Sequence, residues 1–319
     1  LINVANPDQK WETSKQFNAG VDFGFMQSRI TGSVDYFYKT PKNLLFSFPA
    51  IQPAPASTYW INLPGEVLNN GVEISLKGDI IRRKDFNWNL GVNATFLHNE
   101  LRDYSGPPVL TGTISGQGVT GATAQRLAND YPLNTFYVRK FEGFDDKGQA
   151  VYADGGNTLY FLTNPNPKTL LGINTELNYK KWILGASAHG AFGHQVYNNT
   201  ANTVLPIGNL GSRNVDKKLV GNGESLSNPI TVSSRYLENA NFLKLDNVTL
   251  TYNIGNVGKV LKNAAVYVTG QNLFVITKYS GFDPEVNTDK NLNGVSSFGI
   301  EYSPYPTART VMFGLLFSL

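Results

Sequence analysis

The sequence predicts an all-β fold of a particular kind, a transmembrane antiparallel β-barrel portion of about 9 to 11 strands. Three observations lead there: hydrophobicity repeats with period two over long windows, the strands so defined run to about 12 residues, and the connections between them alternate between very short and very long. Strands of soluble sandwiches are typically about 5 or 6 residues, whereas tilted strands crossing a bilayer need roughly 9 to 11. A chain of 319 residues with 31 Gly, 19 Phe and 16 Tyr but only 16% charged residues is too aromatic to be disordered. Its longest apolar stretches, such as Leu44 to Phe46 and Leu273 to Ile276, are far shorter than the roughly 18 residues of a membrane helix. The net charge of +3 is small and its Lys and Arg are scattered, so there is no footprint for nucleic acid. With no cysteine there is neither a disulfide framework nor a thiolate site.

The strands follow in order. From Lys15 to Met26, Phe17, Ala19, Val21, Phe23 and Phe25 alternate with Gln16, Asn18, Gly20, Asp22 and Gly24. Val72, Ile74, Leu76 and Ile80 then oppose Glu73, Ser75, Lys77 and Asp79, and Trp88, Leu90, Val92, Ala94 and Phe96 oppose Asn87, Asn89, Gly91, Asn93 and Thr95. Leu171, Ile173, Leu177 and Tyr179 oppose Asn174, Glu176 and Asn178, and the last strand sets Val311, Phe313, Leu315, Phe317 and Leu319 against Thr310, Gly314 and Ser318. Each pattern separates an apolar face from a polar one. The phase slips at Asp246 and Asn247, which predicts a bulge, and Ala265 to Thr277 is mixed. Aromatics gather near strand ends, Phe86, Trp88, Tyr179 and Trp182 at one end and Tyr36, Tyr38, Phe96, Phe192 and Phe274 at the other, as interfacial girdles do.

Short turns are expected at Gln27-Ser28, Arg82 to Asp85, Lys180-Lys181 and Gly255 to Lys262; the long connections span 42–69, 100–169, 197–241 and 278–308. Short periplasmic turns and long extracellular loops give nine strands with a periplasmic C-terminus. The extended segments Thr135 to Phe144 and Gln149 to Asp154 fit a hairpin inside a loop, or else raise the count to eleven. An odd count does not close a bacterial barrel, and the chain opens at Leu1 without a signal-like segment, so it is expected to be the C-terminal part of one barrel domain, lacking a signal peptide and any N-terminal domain.

Catalytic chemistry finds little support. His98 is expected at a strand end, and His189 and His194 on opposite faces of one strand; no nucleophile, phosphate-loop or metalloprotease motif occurs, so the chain is expected not to be an enzyme. The run Asp289-x-Asn291-x-Asn293-Gly294 fits the first half of a calcium loop, but its twelfth position is Ile300, Glu301 comes one residue late and no flanking helices are evident. A polar external turn is the default, with no cofactor expected and Ca2+ as the alternative.

Several segments carry a family resemblance. "NPDQKWETSKQFNAGVDFGF" (6–25), "NNGVEISLKG" (69–78), "NPNPKTLLGINTELNYKKWILGASAHGAFGHQVYN" (164–198), "ENANFLKLDNVTLTYNI" (238–254), "VYVTGQNLFVITKYSGFDPEV" (266–286) and "YPTARTVMFGLLFSL" (305–319) stand in an order that resembles the C-terminal barrel of SusC/RagA-type TonB-dependent outer-membrane transporters. The resemblance implies a parent barrel of about 22 strands with an N-terminal plug, set in outer-membrane lipid, energised through TonB and capped by a SusD-like lipoprotein, importing oligosaccharides or peptides. Gly314, Phe317 and Leu319 resemble the family's C-terminal assembly signal, although the usual last residue is aromatic. Tyr59 and Trp60, after the Pro-rich stretch 48–57, become candidates for lid contact or for stacking on a ligand. Two other classes remain as alternatives: a soluble or surface β-protein binding glycans, and a passive porin.

Overall fold

A computed structural model describes residues 6–50, 53–286, 288–292 and 295–318. Nine strands pair in one antiparallel sheet: β1 (Thr13–Phe25), β2 (Ile30–Lys42), β3 (Glu66–Arg82), β4 (Phe86–Arg102), β5 (Thr169–Tyr179), β6 (Trp182–Phe192), β7 (Phe242–Val257), β8 (Leu261–Thr277) and β9 (Thr310–Ser318). Their spatial order is their chain order, an uninterrupted up-and-down meander. Among the described residues no helix is long and apolar enough to cross a membrane. The tight turns are made by residues that accept left-handed backbone: Met26, Gln27 and Ser28 at φ 53°, 56° and 62°, and Lys180 at φ 52° between β5 and β6.

Register converts the alternation into two faces. Leu76 lies beside Gly32 and Val92, Val92 beside Ile173, and Ile173 beside Ala188, an apolar row crossing five strands. One residue along, Ser75 lies beside Ser33 and Asn93, on the opposite, polar face. Large side chains on the apolar face are not packed against a second layer: Val21 is 67% and Phe313 82% exposed. Such exposure over a whole face is what a lipid-facing wall presents.

The aromatics form two rows. Phe86, Tyr179, Trp182 and Tyr252 are successive neighbours on four adjacent strands, with Phe86–Tyr179 centroids 6.2 Å and Trp182–Tyr252 centroids 4.7 Å apart. At the other end Tyr36, Phe96 and Phe192 share a row, Phe96 and Phe192 each beside Thr169. Phe86 and Phe96 are ten residues apart on β4, about 33 Å along the strand and about 25 Å once the usual barrel tilt is applied, the height of a hydrocarbon band. Between the rows the indole of Trp88 donates to Thr175 Oγ1 at 2.8 Å, so its polar N–H is satisfied on the apolar face.

The bulge falls where the phase slips: Ser187 pairs with Asn247 and Ala188 with Leu245, so Asp246 is the extra residue. The mixed pattern of β8 has the same cause, because the β7–β8 register skips from Leu245–Phe274 to Asn247–Gln271 and Asn272 turns left-handed at φ 52°. β3 and β4, 17 residues each, run beyond the bilayer height, so the first two long connections are shorter than expected, 43–65 and 103–168. Polar pairs hold the extension, Lys42–Glu66 at 2.6 Å and Asn99 Nδ2 to Asn69 Oδ1 at 2.7 Å.

Beyond that end the long connections fold into a roof with its own core. Phe136, Tyr197 and Ile300, each 0% exposed, come from three different connections and pack together. Residues 195–198 pair antiparallel with 237–239 and parallel with 300–301, while 141–144 and 150–152 form a hairpin apart from the nine-stranded wall. A second cluster joins Leu63, Leu101, Leu127 and Val295. Placing a charge mid-height on the apolar face tests the assignment of faces. Leu76→Arg is expected to destabilise the intact barrel by about 2–4 kcal/mol and Ser75→Arg by under about 1 kcal/mol, read by urea-dependent unfolding in lipid bilayers.

Candidate functional site

The polar face is the first candidate surface. Across β3 to β7 it carries an open cavity of about 730 Å³ lined by Ser75, Asn89, Asn93, Asn174, Ser187 and Asn247, with Lys77 and Glu176 as its charged residues. Amides and hydroxyls both donate and accept, so this wall solvates polar groups without selecting a charge. Glu73, Ser75, Lys77 and Asp79 follow each other at period two on the same face.

At the roof end of this face the bulge creates a charged cluster. By inserting one residue, it puts Asp246 beside His189 on the polar face, with Nδ1 of His189 2.7 Å from Asp246 Oδ1. The other ring nitrogen, Nε2, lies 2.7 Å from Oε1 of Glu285, whose Oε2 accepts from Lys244 Nζ at 2.5 Å. With both ring nitrogens facing carboxylates, the imidazolium, which has two N–H donors, satisfies the geometry and the neutral ring satisfies one contact only. Glu285 belongs to the connection 278–309, so these bonds strap that connection to the wall. Burial would raise the Glu285 carboxyl, but Lys244 and His189 outweigh it and hold the group below the ordinary glutamate range. Asp283 stiffens the same turn, accepting from the Glu285 amide at 3.0 Å and from Thr307 Oγ1 at 2.8 Å.

The roof contains three further polar locks. Glu301, 0% exposed, accepts from Thr200 Oγ1 at 2.5 Å and from the Tyr279 hydroxyl at 3.2 Å. Burial pushes its carboxyl up, and these two donors only partly oppose that. Glu224 receives a fork from Arg235, 2.6 and 2.5 Å, while the guanidinium lies 4.8 Å from the Phe144 ring centroid and 5.2 Å from that of Tyr236. Burial alone would raise Glu224; Arg235 and Asn228 bring it below the usual range. Lys290, 5% exposed, donates to Ser115 Oγ at 2.7 Å and sits 4.9 Å from the Tyr302 ring, and burial lowers its ammonium pKa.

The residues singled out in the sequence do not converge on one site. Tyr59 and Trp60 lie on a small hairpin, 58–62 against 45–49, with Tyr59 packed 6.5 Å from Phe48 and Trp60 43% exposed. Asp289 accepts from the Asn291 amide at 2.9 Å, a local Asx turn, and Asn293 and Gly294 lie outside the described residues. Gly314 has a packing role: a Cβ there would fall 2.1 Å from Cζ of Tyr267 on β8. Phe317 is exposed on the apolar face and Leu319 lies outside the described residues. His194 is not on the strand of His189, as the sequence suggested; β6 ends at Phe192, Gly193 turns left-handed at φ 82°, and His194 is buried beneath the roof. His98 lies within β4 and contacts Glu100 at 3.4 Å. The role of Glu285 and its partners was missed, although the phase slip at Asp246 and the "YSGFDPE" run around Glu285 both marked the place.

A two-faced meander with paired aromatic rows, a polar inner surface and a folded roof at one end defines the wall of an outer-membrane-type barrel. The chain belongs to the TonB dependent receptor-like, beta-barrel family, whose model matches residues 1–273. It is 30% identical, over 97% of its length, to the TonB-dependent receptor SusC of Bacteroides thetaiotaomicron and covers 32% of that protein. It is 28% identical to the TonB-dependent receptor P3 of Formosa agariphila, with 99% of this chain and 35% of that one covered. A solved structure of the RagAB peptide transporter superposes with a TM-score of 0.81 at 26% identity, covering 98% of this chain and 36% of that chain. The chain thus spans about a third of the length of these relatives. They are receptors and a transporter rather than enzymes, and the SusC/RagA resemblance of the sequence motifs is borne out.

Two locks yield predictions. Because the folded pKa of Glu285 is lowered, the contribution of its carboxylate to the strap is fully present above the ordinary glutamate value and is lost as pH falls through the lowered one. A spin label at Thr288 in the intact protein should therefore gain mobility on acidification, and Glu285→Gln should make it mobile at neutral pH, a loss of about 1–2 kcal/mol after discounting for partial exposure. Glu224→Gln leaves the Arg235 guanidinium in a nearly closed pocket without its carboxylate. It should destabilise 204–233 by about 3 kcal/mol, read by hydrogen exchange.

Proposed function

We propose that this chain forms the closing wall and outer roof of a TonB-dependent importer that takes up oligosaccharides or peptides. The observation that carries the reading is the pairing of a lipid-type outer face with a polar, open inner face, the latter roofed at one end by interlocked connections. A wall that only closed a pore would not need a roof with its own buried core. Within this reading the short turns and the C-terminus are periplasmic and the connections 43–65, 103–168, 193–241 and 278–309 are extracellular. TonB acts through a plug domain of the parent, and a SusD-like lipoprotein sits over the roof, where Trp60 offers an exposed indole. No cofactor is required, and the turn at Asp289 is read as structural.

The orientation is testable by single cysteines, since this chain contributes none of its own and any elsewhere in the parent can be replaced. In the intact protein, Val220→Cys in the roof should react with a membrane-impermeant maleimide on whole cells. Lys180→Cys in the β5–β6 turn should react only after permeabilisation, and the reverse result would invert the topology. Function is tested by uptake of labelled oligosaccharides and peptides in cells with and without TonB. Uptake that disappears without TonB, with the lipoprotein co-purifying in detergent, supports the importer; steady conductance in planar bilayers without TonB would replace it with a passive porin.

A further inference from the structure

The two longest connections, 103–168 and 193–241, enclose between them a second open cavity of about 690 Å³, separate from the inner wall. A volume of that size suits an oligomer of a few residues rather than an ion. Among the described residues its lining includes Thr120, Thr231, Tyr137, Tyr152 and Asn157, with Arg139 as its one Lys, Arg, Asp, Glu or His. Arg139 is held but not neutralised: its Nε donates to the Gly156 carbonyl at 2.9 Å, and it forms no ion pair with any described carboxylate. Asn157 uses its Nδ2 on the Asp154 carbonyl, which leaves its Oδ1 as an acceptor. A guanidinium fixed through Nε keeps a planar pair of terminal N–H donors, which matches the fork of a carboxylate. Thr120 Oγ1 already donates to the Gly116 carbonyl at 2.7 Å and Thr231 Oγ1 to the Pro229 carbonyl at 3.3 Å, so these oxygens are left as acceptors, which suits the hydroxyls of a polyhydroxyl ligand.

The acceptors Thr120 Oγ1, Thr231 Oγ1 and Asn157 Oδ1 favour a ligand that offers many O–H donors. We propose that this groove binds an acidic oligosaccharide, a uronic-acid chain whose carboxylate is taken by Arg139 and whose hydroxyls meet Thr120, Thr231, Tyr137, Tyr152 and Asn157. The proposal rests on the importer reading and narrows its substrate class.

The test uses the full-length protein extracted in detergent from its own membrane, titrated with fluorescent hexagalacturonate, neutral maltohexaose and an acidic hexapeptide. Hexagalacturonate should bind, and Arg139→Gln should weaken it by about tenfold or more. Asn157→Asp, on the exposed rim, puts a negative charge beside the ligand without touching the roof core and should weaken binding likewise. Maltohexaose, which offers no carboxylate, should bind the unaltered protein about tenfold or more weakly than hexagalacturonate, and unchanged protease resistance will show that the roof of each variant is folded. The proposal is overturned if hexagalacturonate fails to bind the unaltered protein, if both variants bind it normally, or if the hexapeptide is the ligand that depends on Arg139. Binding that depends on Arg139 without TonB-dependent uptake of hexagalacturonate would support the groove and sink the importer reading alone.

Discussion

Inside hydrocarbon every backbone amide and carbonyl must find a protein partner, and the remaining architecture follows from that requirement. Between its two edge strands a meander of nine neighbours meets it, with the shortest connections available on one side, as the two-residue turn between β5 and β6 shows. The long irregular connections are thereby displaced to the other end, where they build a core of their own. The wall is chemically repetitive and the roof is not. Charge clusters, a nearly closed guanidinium pair and a fully buried carboxyl all occur at or above the level where the strands leave the bilayer.

The bulge at Asp246 joins these two regimes. A strand in strict alternation can offer one residue in two to the polar face; one inserted residue gives β7 both Asp246 and Asn247 there. That extra carboxylate completes the seat of His189, and His189 in turn meets Glu285 from the last connection. A single departure from regular pairing therefore ties the roof to the wall through four charged or chargeable side chains.

The wall was legible because its information is local. Phe17 to Phe25, Val72 to Ile80 and Trp88 to Phe96 announce period two within a dozen residues, and pairing of consecutive strands follows from turn length. The bulge was legible for the same reason, as a slip in phase. Gly193 ended β6 two residues before His194, which the alternation alone did not show. The roof was not legible, because its contacts join residues remote in sequence: Ser297 with Gln125, Lys290 with Ser115, Glu301 with Thr200. Nothing in the neighbourhood of Arg139 signals that Thr231 will line the same cavity, and Tyr59 and Trp60 drew notice through residue type rather than through any partner.

The shared core of the roof also limits how such a surface diversifies. Phe136, Tyr197 and Ile300 each complete a packing site begun by another connection. Exchanging one whole loop with a relative would strip buried neighbours from the other two, and the loss would be felt as misfolding before it was felt as altered recognition. Point changes on groove-facing positions such as Thr120, Asn157 and Thr231 avoid that penalty, since the first two are exposed and none contributes to the buried cluster. Divergence of specificity in this lineage should accordingly be written as scattered single substitutions along the rims of its cavities, with the loop interiors drifting together as a block.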